Sequence, residues 1–176
     1  PLPNLSASDL AAFAEGRAQF LEEQTVTNTD PDLDGLGPRF NGIGCFSCHV
    51  HPTIGGSSPP INPQPEMGQR NGATNVIPTF LAAAGPIREA RFKRNPDGTA
   101  DGGVHALFTI AGRTDAPDCF LAQPNFVQAE AEHNLVFRIP TPVFGAGLMA
   151  AINDADILAN MALQTAGPFG VHGHPN

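Results

Sequence analysis

The residues of this chain best placed to do chemistry together are Cys45-Phe46-Ser47-Cys48-His49, with a second histidine at His51. Three chemistries use a C-x-x-C pair. A structural zinc site needs four ligands, ordinarily a second cysteine pair or two suitably spaced histidines. The chain offers one further cysteine, Cys119, and His172 and His174 lie far off at its C-terminal end. A thioredoxin-like dithiol calls for a strand-to-helix βαβ setting, whereas the residues before Cys45 are rich in Gly and Asn. The third chemistry is covalent haem attachment, in which both thiols add to vinyl groups and the following histidine ligates iron. One helical turn from Cys45 to His49 sets both sulfurs and the imidazole against one macrocycle face. The pattern therefore points to one haem c on Cys45 and Cys48, with His49 as proximal iron ligand.

Elements must position that segment. In "SASDLAAFAEGRAQFLEEQ" either Ser6 or Ser8 can cap a helix with Asp9 in its first turn. Leu10, Phe13, Ala14, Phe20 and Leu21 share one face, which predicts a helix over about 7–24, within an N-terminal segment 1–24. The haem-attachment segment is 41–52. From Val50 to Pro78 the chain is rich in Pro, Gly, Ser and Asn, a length of loop that is usually functional or disordered and suits wrapping a large cofactor. "VIPTFLAAAG" predicts a short helix or turn, "REARFKRNPDGTADGG" a charged segment ending in a turn, and "VHALFTIAG" a strand. "NFVQAEAEHNLVF" is helical in its first part. "DADILANMALQT" predicts a helix capped by Asn153 or Asp154, with Ile157, Leu158, Met161 and Ala162 on one face, inside a C-terminal helical segment 138–165. The fold class expected is mainly α: a single cytochrome c-like helical haem domain over 1–176 with long Pro/Gly-rich loops.

Composition narrows the function. The 176 residues include 19 glycines and 18 prolines without a strict period, so irregular structure is extensive but not collagen-like. Trp and Tyr are absent, which removes both aromatic radical relays. The net charge is −8, which argues against nucleic acid or an anionic membrane and favours a basic protein partner. No apolar run is long enough to span a bilayer. The chain opens at Pro1 without Met, which suggests a removed export signal and a periplasmic or extracytoplasmic location, where covalent haem is assembled.

The stretches "GLGPRFNGIGCFSCHVHPTIGGSSP" and "FRIPTPVFGAGLMAAINDADILA" resemble the N-terminal half of the di-haem oxidoreductase family, which is similar to bacterial di-haem cytochrome c peroxidases. The resemblance runs over roughly 5–176. It places the family's first haem motif at Cys45, Cys48 and His49, and it implies a second haem domain beyond the Arg138–Pro142 block. This sequence carries one such motif where the family carries two. The resemblance also puts a histidine where His105 stands, which makes His105 a candidate distal iron ligand beside its plainer role as a hydrogen-bonded, partly buried histidine.

Other residues are weighed against simpler roles. His51 is too near His49 to reach the opposite haem face and reads as a propionate or loop contact. Met67 and Met149 are alternative sixth ligands, each more often core packing, and Met161 reads as core. Haem propionates call for arginine or backbone donors, and Arg39 and Arg138 are the candidates. The basic cluster Arg88, Arg91, Lys93 and Arg94 reads as a solvated segment. Asp30, Asp32, Asp34 and Gly35 match the start of an EF-hand loop, but Asn41 stands where its bidentate Glu belongs, so a turn is favoured over the calcium that the resemblance implies. Cys119 is left unpaired, which suggests burial or a disulfide to another chain.

The function expected is single-electron transfer by a one-haem c-type cytochrome, with a redox partner protein or a larger membrane-associated or multisubunit complex. The alternative is the one-haem half of a peroxidase-like enzyme completed by a partner chain, with Glu89 and His105 as the titratable groups to consider for acid–base work.

Overall fold

The computed structural model describes residues 3–27, 35–101, 108–164, 170 and 173. They divide into a unit within 1–142 and a unit within 143–176. The first opens with helix α1 (Ala7–Phe20), whose N-terminus carries a full capping box. Ser6 Oγ accepts from the Asp9 N–H at 3.2 Å and the Asp9 carboxylate accepts from the Ser6 N–H at 3.2 Å. The helix stops four residues short of the expected end, and none of its residues is buried.

The chain is not mainly α, which corrects the expected class. Among the described residues there are five helices of 5 to 14 residues and one two-stranded antiparallel sheet. Helix α2 (Gln64–Arg70) lies inside the stretch expected to be loop, and helix α3 (Phe126–Ala131) falls where the pattern predicts one. Strand β1 (Glu89–Phe92) pairs with strand β2 (Leu135–Arg138), so that Glu89 faces Arg138 and Arg91 faces Val136. The charges of β1 hid it. Its alternation puts Ala90 and Phe92 on the core and Glu89 and Arg91 on the opposite face, the period of a half-buried strand.

The core joins Met67 of α2, Leu81, Ala90, Phe108, Ile110 and Phe126, with Ile43, Phe80, Phe92 and Leu135 packed against them. Phe126 is its hub, in ring contact with Phe80 (5.4 Å), Phe92 (6.1 Å) and Phe108 (6.5 Å). Phe108 to Ala111, the described half of the expected strand, belong to no sheet. Their backbone groups are met by side-chain amides instead. Asn41 Nδ2 donates to the Phe108 carbonyl (2.5 Å) and its Oδ1 accepts from the Ile110 N–H (3.2 Å). Asn75 does the same for Thr109 and Ala111, and Gln123 brackets Thr109 from another side. Buried backbone needs partners of some kind, and a chain so rich in Pro and Gly supplies them from Asn and Gln.

One more contact fixes the approach to residue 41. Arg113, 3% exposed, forms a forked pair with Asp115 (2.8 and 2.6 Å) and donates to the Phe40 carbonyl (2.8 Å). Those hydrogen bonds hold the Asp115 carboxyl below its ordinary pKa.

The second unit holds α4 (Ala146–Ala150) and α5 (Asp154–Gln164). Asn153 caps α5, its Oδ1 accepting from the Ala155 N–H at 3.0 Å. No residue of either helix is buried, and Ile157 and Leu158 of the expected apolar face are exposed. Among the described residues no helix is long and apolar enough to cross a membrane.

Removing the hub ring leaves a cavity between three aromatic neighbours. Phe126→Ala is expected to lower stability by about 3–5 kcal/mol, read as a shift in the urea midpoint at unchanged slope.

Candidate haem-attachment site

The C-x-x-C-H segment is built as one tight turn. Cys45–Ser47 form a single 3-10 turn, with the Cys48 and His49 N–H groups both donating to the Cys45 carbonyl (3.3 and 3.1 Å). Ser47 Oγ closes the turn onto the Gly44 carbonyl (2.6 Å). Behind it, Ile43 packs on the core and its carbonyl accepts from the Gln24 N–H (2.8 Å), which ties the turn to the segment that follows α1. Gly42 and Gly44 permit this approach, since a Cβ on either would meet Ser47 Oγ at 2.7 Å or the Glu22 carbonyl at 2.6 Å. The expected single turn is what the structure shows.

The imidazole of His49 is oriented by backbone carbonyls. Its Nδ1 lies 2.9 Å from the Thr141 carbonyl oxygen and 3.3 Å from that of Gly56. A carbonyl oxygen can only accept, so Nδ1 carries the proton and Nε2 keeps its lone pair. This is the tautomer a metal ligand needs, with the second nitrogen held by an outer partner. The loop that follows returns on itself, with His51 and Ser57 exchanging backbone hydrogen bonds (2.9 and 2.7 Å) around a cis His51–Pro52 bond. Ser57 Oγ then donates to the Pro140 carbonyl (2.6 Å). The Arg138–Pro142 block is thus clamped to the segment at both His49 and Ser57. His51 itself is exposed.

The two thiols differ in exposure. Cys45 is exposed and Cys48 half-buried, and the two are not bonded to each other. Burial pushes the Cys48 thiol above its ordinary pKa. A hydrogen bond with Ser47 opposes the rise, while the nearby Glu89 carboxylate and Cys45 add to it. Among the described residues no group of three or more His, Cys, Asp and Glu side chains has the arrangement of a metal site. The segment offers two cysteines and one Nε2 on a single turn, a donor set that fits covalent haem with a nitrogen ligand to iron.

The other candidates are dispersed. Met67 lies in the core, and its sulfur accepts from Asn71 Nδ2 at 3.1 Å. It lines a cavity of about 170 Å3 together with Gly42, Ile43 and Ser47. Met149 is exposed on α4, in the second unit. Arg39 is exposed on the turn before the segment, and Arg138 is exposed at the end of β2. Cys119 is half-buried and not disulfide-bonded. His105 and the aspartates at 30, 32 and 34 lie outside the described residues. Asn41, the last position of the expected calcium loop, spends its side chain on Phe108 and Ile110.

Sequence reasoning missed Arg91. It reads as part of a solvated run, yet its side chain is 12% exposed, with its NH2 3.0 Å from Glu89 Oε2. Its position on a strand would have separated it from its exposed neighbours, but the density of charge masked the strand.

Gly56 is packed so that a Cβ would collide with the His51 carbonyl. Gly56→Ala is expected to cost about 1–3 kcal/mol, to displace a carbonyl from His49 Nδ1, and to lower the yield of haem-bearing protein at unchanged expression. A normal haem-to-protein ratio in that variant would contradict the role given to this loop.

No curated protein and no solved structure matches the chain. The matched segment of the one family found ends well before the Arg138–Pro142 block. Residues 1–74, which carry Cys45, Cys48 and His49, match the model of the family described as "Di-haem oxidoreductase, putative peroxidase", so that this N-terminal part of the chain is similar to haem oxidoreductases.

Proposed function

We propose that the chain is a c-type cytochrome that transfers single electrons outside the cytoplasm, with one haem bound covalently through Cys45 and Cys48 and His49 Nε2 as the iron ligand. The observation that carries this reading is the hydrogen bond from His49 Nδ1 to the Thr141 carbonyl at 2.9 Å. It leaves Nε2 free on the turn that carries both thiols. The bound group would supply a one-electron couple at iron. The chain's own part is to hold the ring of His49 in one orientation, to raise the basicity of Nε2 through the Nδ1–H bond, and to present both sulfurs from one turn.

The negative net charge of −8 suits a basic redox partner, and the extracytoplasmic setting follows from the need to assemble covalent haem with reduced thiols. Arg39 and Arg138, both exposed beside the segment, are proposed as solvent-side propionate contacts. His105 remains the proposed sixth ligand.

The family match supports a second reading, in which the chain is one half of a peroxidase-like oxidoreductase. The visible spectrum of the oxidised protein, recorded with and without cyanide, separates the two. Electron transfer predicts a low-spin, six-coordinate spectrum that cyanide leaves unchanged. A high-spin fraction converted by cyanide would favour the enzyme.

A further inference from the structure

The backbone of Ser57 is tied to the residues that follow His49. Its N–H donates to the His51 carbonyl (2.7 Å), and its carbonyl accepts from the Val50 and His51 N–H groups (3.0 and 2.9 Å). The Ser57 hydroxyl is therefore referenced to the same stretch of backbone that carries the imidazole. From there it donates to the Pro140 carbonyl at 2.6 Å. The residue before it, Gly56, is buried and offers its own carbonyl to His49 Nδ1 at 3.3 Å.

The two hydrogen bonds to the Arg138–Pro142 block differ in setting. The one from His49 Nδ1 to Thr141 is exposed, so water competes for both of its partners, whereas the one from Ser57 Oγ to Pro140 is partly buried. An exposed bond does little to hold two segments together by itself, so the buried neighbour must supply the anchor. The sequence stiffens the link between them, because Thr141 stands between Pro140 and Pro142. The ring of Pro140 fixes its own φ, and Pro142 confines Thr141 to extended backbone. Along so stiff a stretch, holding the Pro140 carbonyl also aims the carbonyl of Thr141.

We propose that Ser57 is a positioning residue for the iron ligand: through Pro140, its hydroxyl keeps the Thr141 carbonyl on His49 Nδ1 and thereby tunes the reduction potential. A firm Nδ1–H bond makes Nε2 a more basic ligand, and a more basic ligand favours ferric iron. Loss of the Ser57 hydroxyl therefore raises the potential. The assignment rests on the reading of His49 as iron ligand to a covalent haem.

The test separates the two claims. The mass of the wild-type protein comes first, since a chain without covalent haem overturns the reading of the site and this assignment with it. In holoprotein, the reduction potential and the solvent exchange of the His49 Nδ1–H, followed by proton NMR, are then compared across variants. Ser57→Ala is expected to raise the potential and to speed the exchange about tenfold, the factor for one hydrogen bond of this kind. Ser57→Thr keeps the hydroxyl and is expected to restore both towards wild type. Ser57→Val copies the shape of Thr without the hydroxyl and is expected to follow Ser57→Ala; compared with Ser57→Thr, it carries the test if Ser57→Ala does not hold haem. Thr53→Ala, which removes a side-chain hydroxyl from an exposed residue of the same loop, is expected to change neither quantity. A wild-type value of either quantity in the variants that lack the Ser57 hydroxyl overturns the assignment. So does an equal change in Ser57→Thr and Ser57→Val, or loss of haem from all three Ser57 variants.

Discussion

The hydrogen bond from His49 Nδ1 to the Thr141 carbonyl joins parts of the chain 92 residues apart, and the architecture of the first unit can be read as what makes that bond reproducible. The donor sits on a turn stitched to the segment after α1 and packed on the core through Ile43. The acceptor comes at the end of β2, whose register against β1 fixes where Pro140 and Thr141 emerge. The Ser57 to Pro140 contact makes the clamp two-point, which prevents the block from pivoting on one hydrogen bond. Phe126, under the sheet, holds the strands and the buried 108–110 run on one aromatic hub.

A second theme is how so irregular a chain closes its hydrogen-bond accounts. Four amide side chains stand in for a sheet partner: Asn41, Asn75 and Gln123 around 108–111, and Asn134 against the backbone N–H and carbonyl of Arg94. Each links segments distant in sequence. Asn41 matters most for function, since it bonds the run 108–110 immediately before the haem-attachment turn. Arg113 braces the neighbouring Phe40 through its carbonyl, and the Asp115 carboxylate keeps that guanidinium in place. The segment is thus held from both sides before any cofactor is considered.

The legible parts of this molecule were the local ones. The capping box of α1, the helices α3 and α5, and the C-x-x-C-H turn all rest on residues within a few positions of each other, and the structure places each where its pattern implies. What was illegible depended on partners far away. The mainly α expectation failed because β1 is written in charged residues, so its period-2 alternation reads as surface, and because the helices are few and short; α2, hidden among prolines, was missed in the other direction. The run at 108–111 has the apolar character of a strand, but its partners are side-chain amides that no periodicity announces. Arg91 is the sharpest case. Four basic residues in seven look uniformly solvated, and only pairing with β2 reveals that one of them is buried with donors unmet.

The central claim is that Cys45 and Cys48 are thioether-linked to one haem and that neither zinc nor a dithiol explains them. Proteolysis of the denatured protein followed by mass analysis after thiol alkylation tests it most directly. The account predicts a single haem-bearing peptide that contains Cys45 and Cys48, with neither sulfur open to the alkylating reagent. Free alkylation of both thiols, with no haem retained on the peptide after acid-acetone extraction, would contradict it.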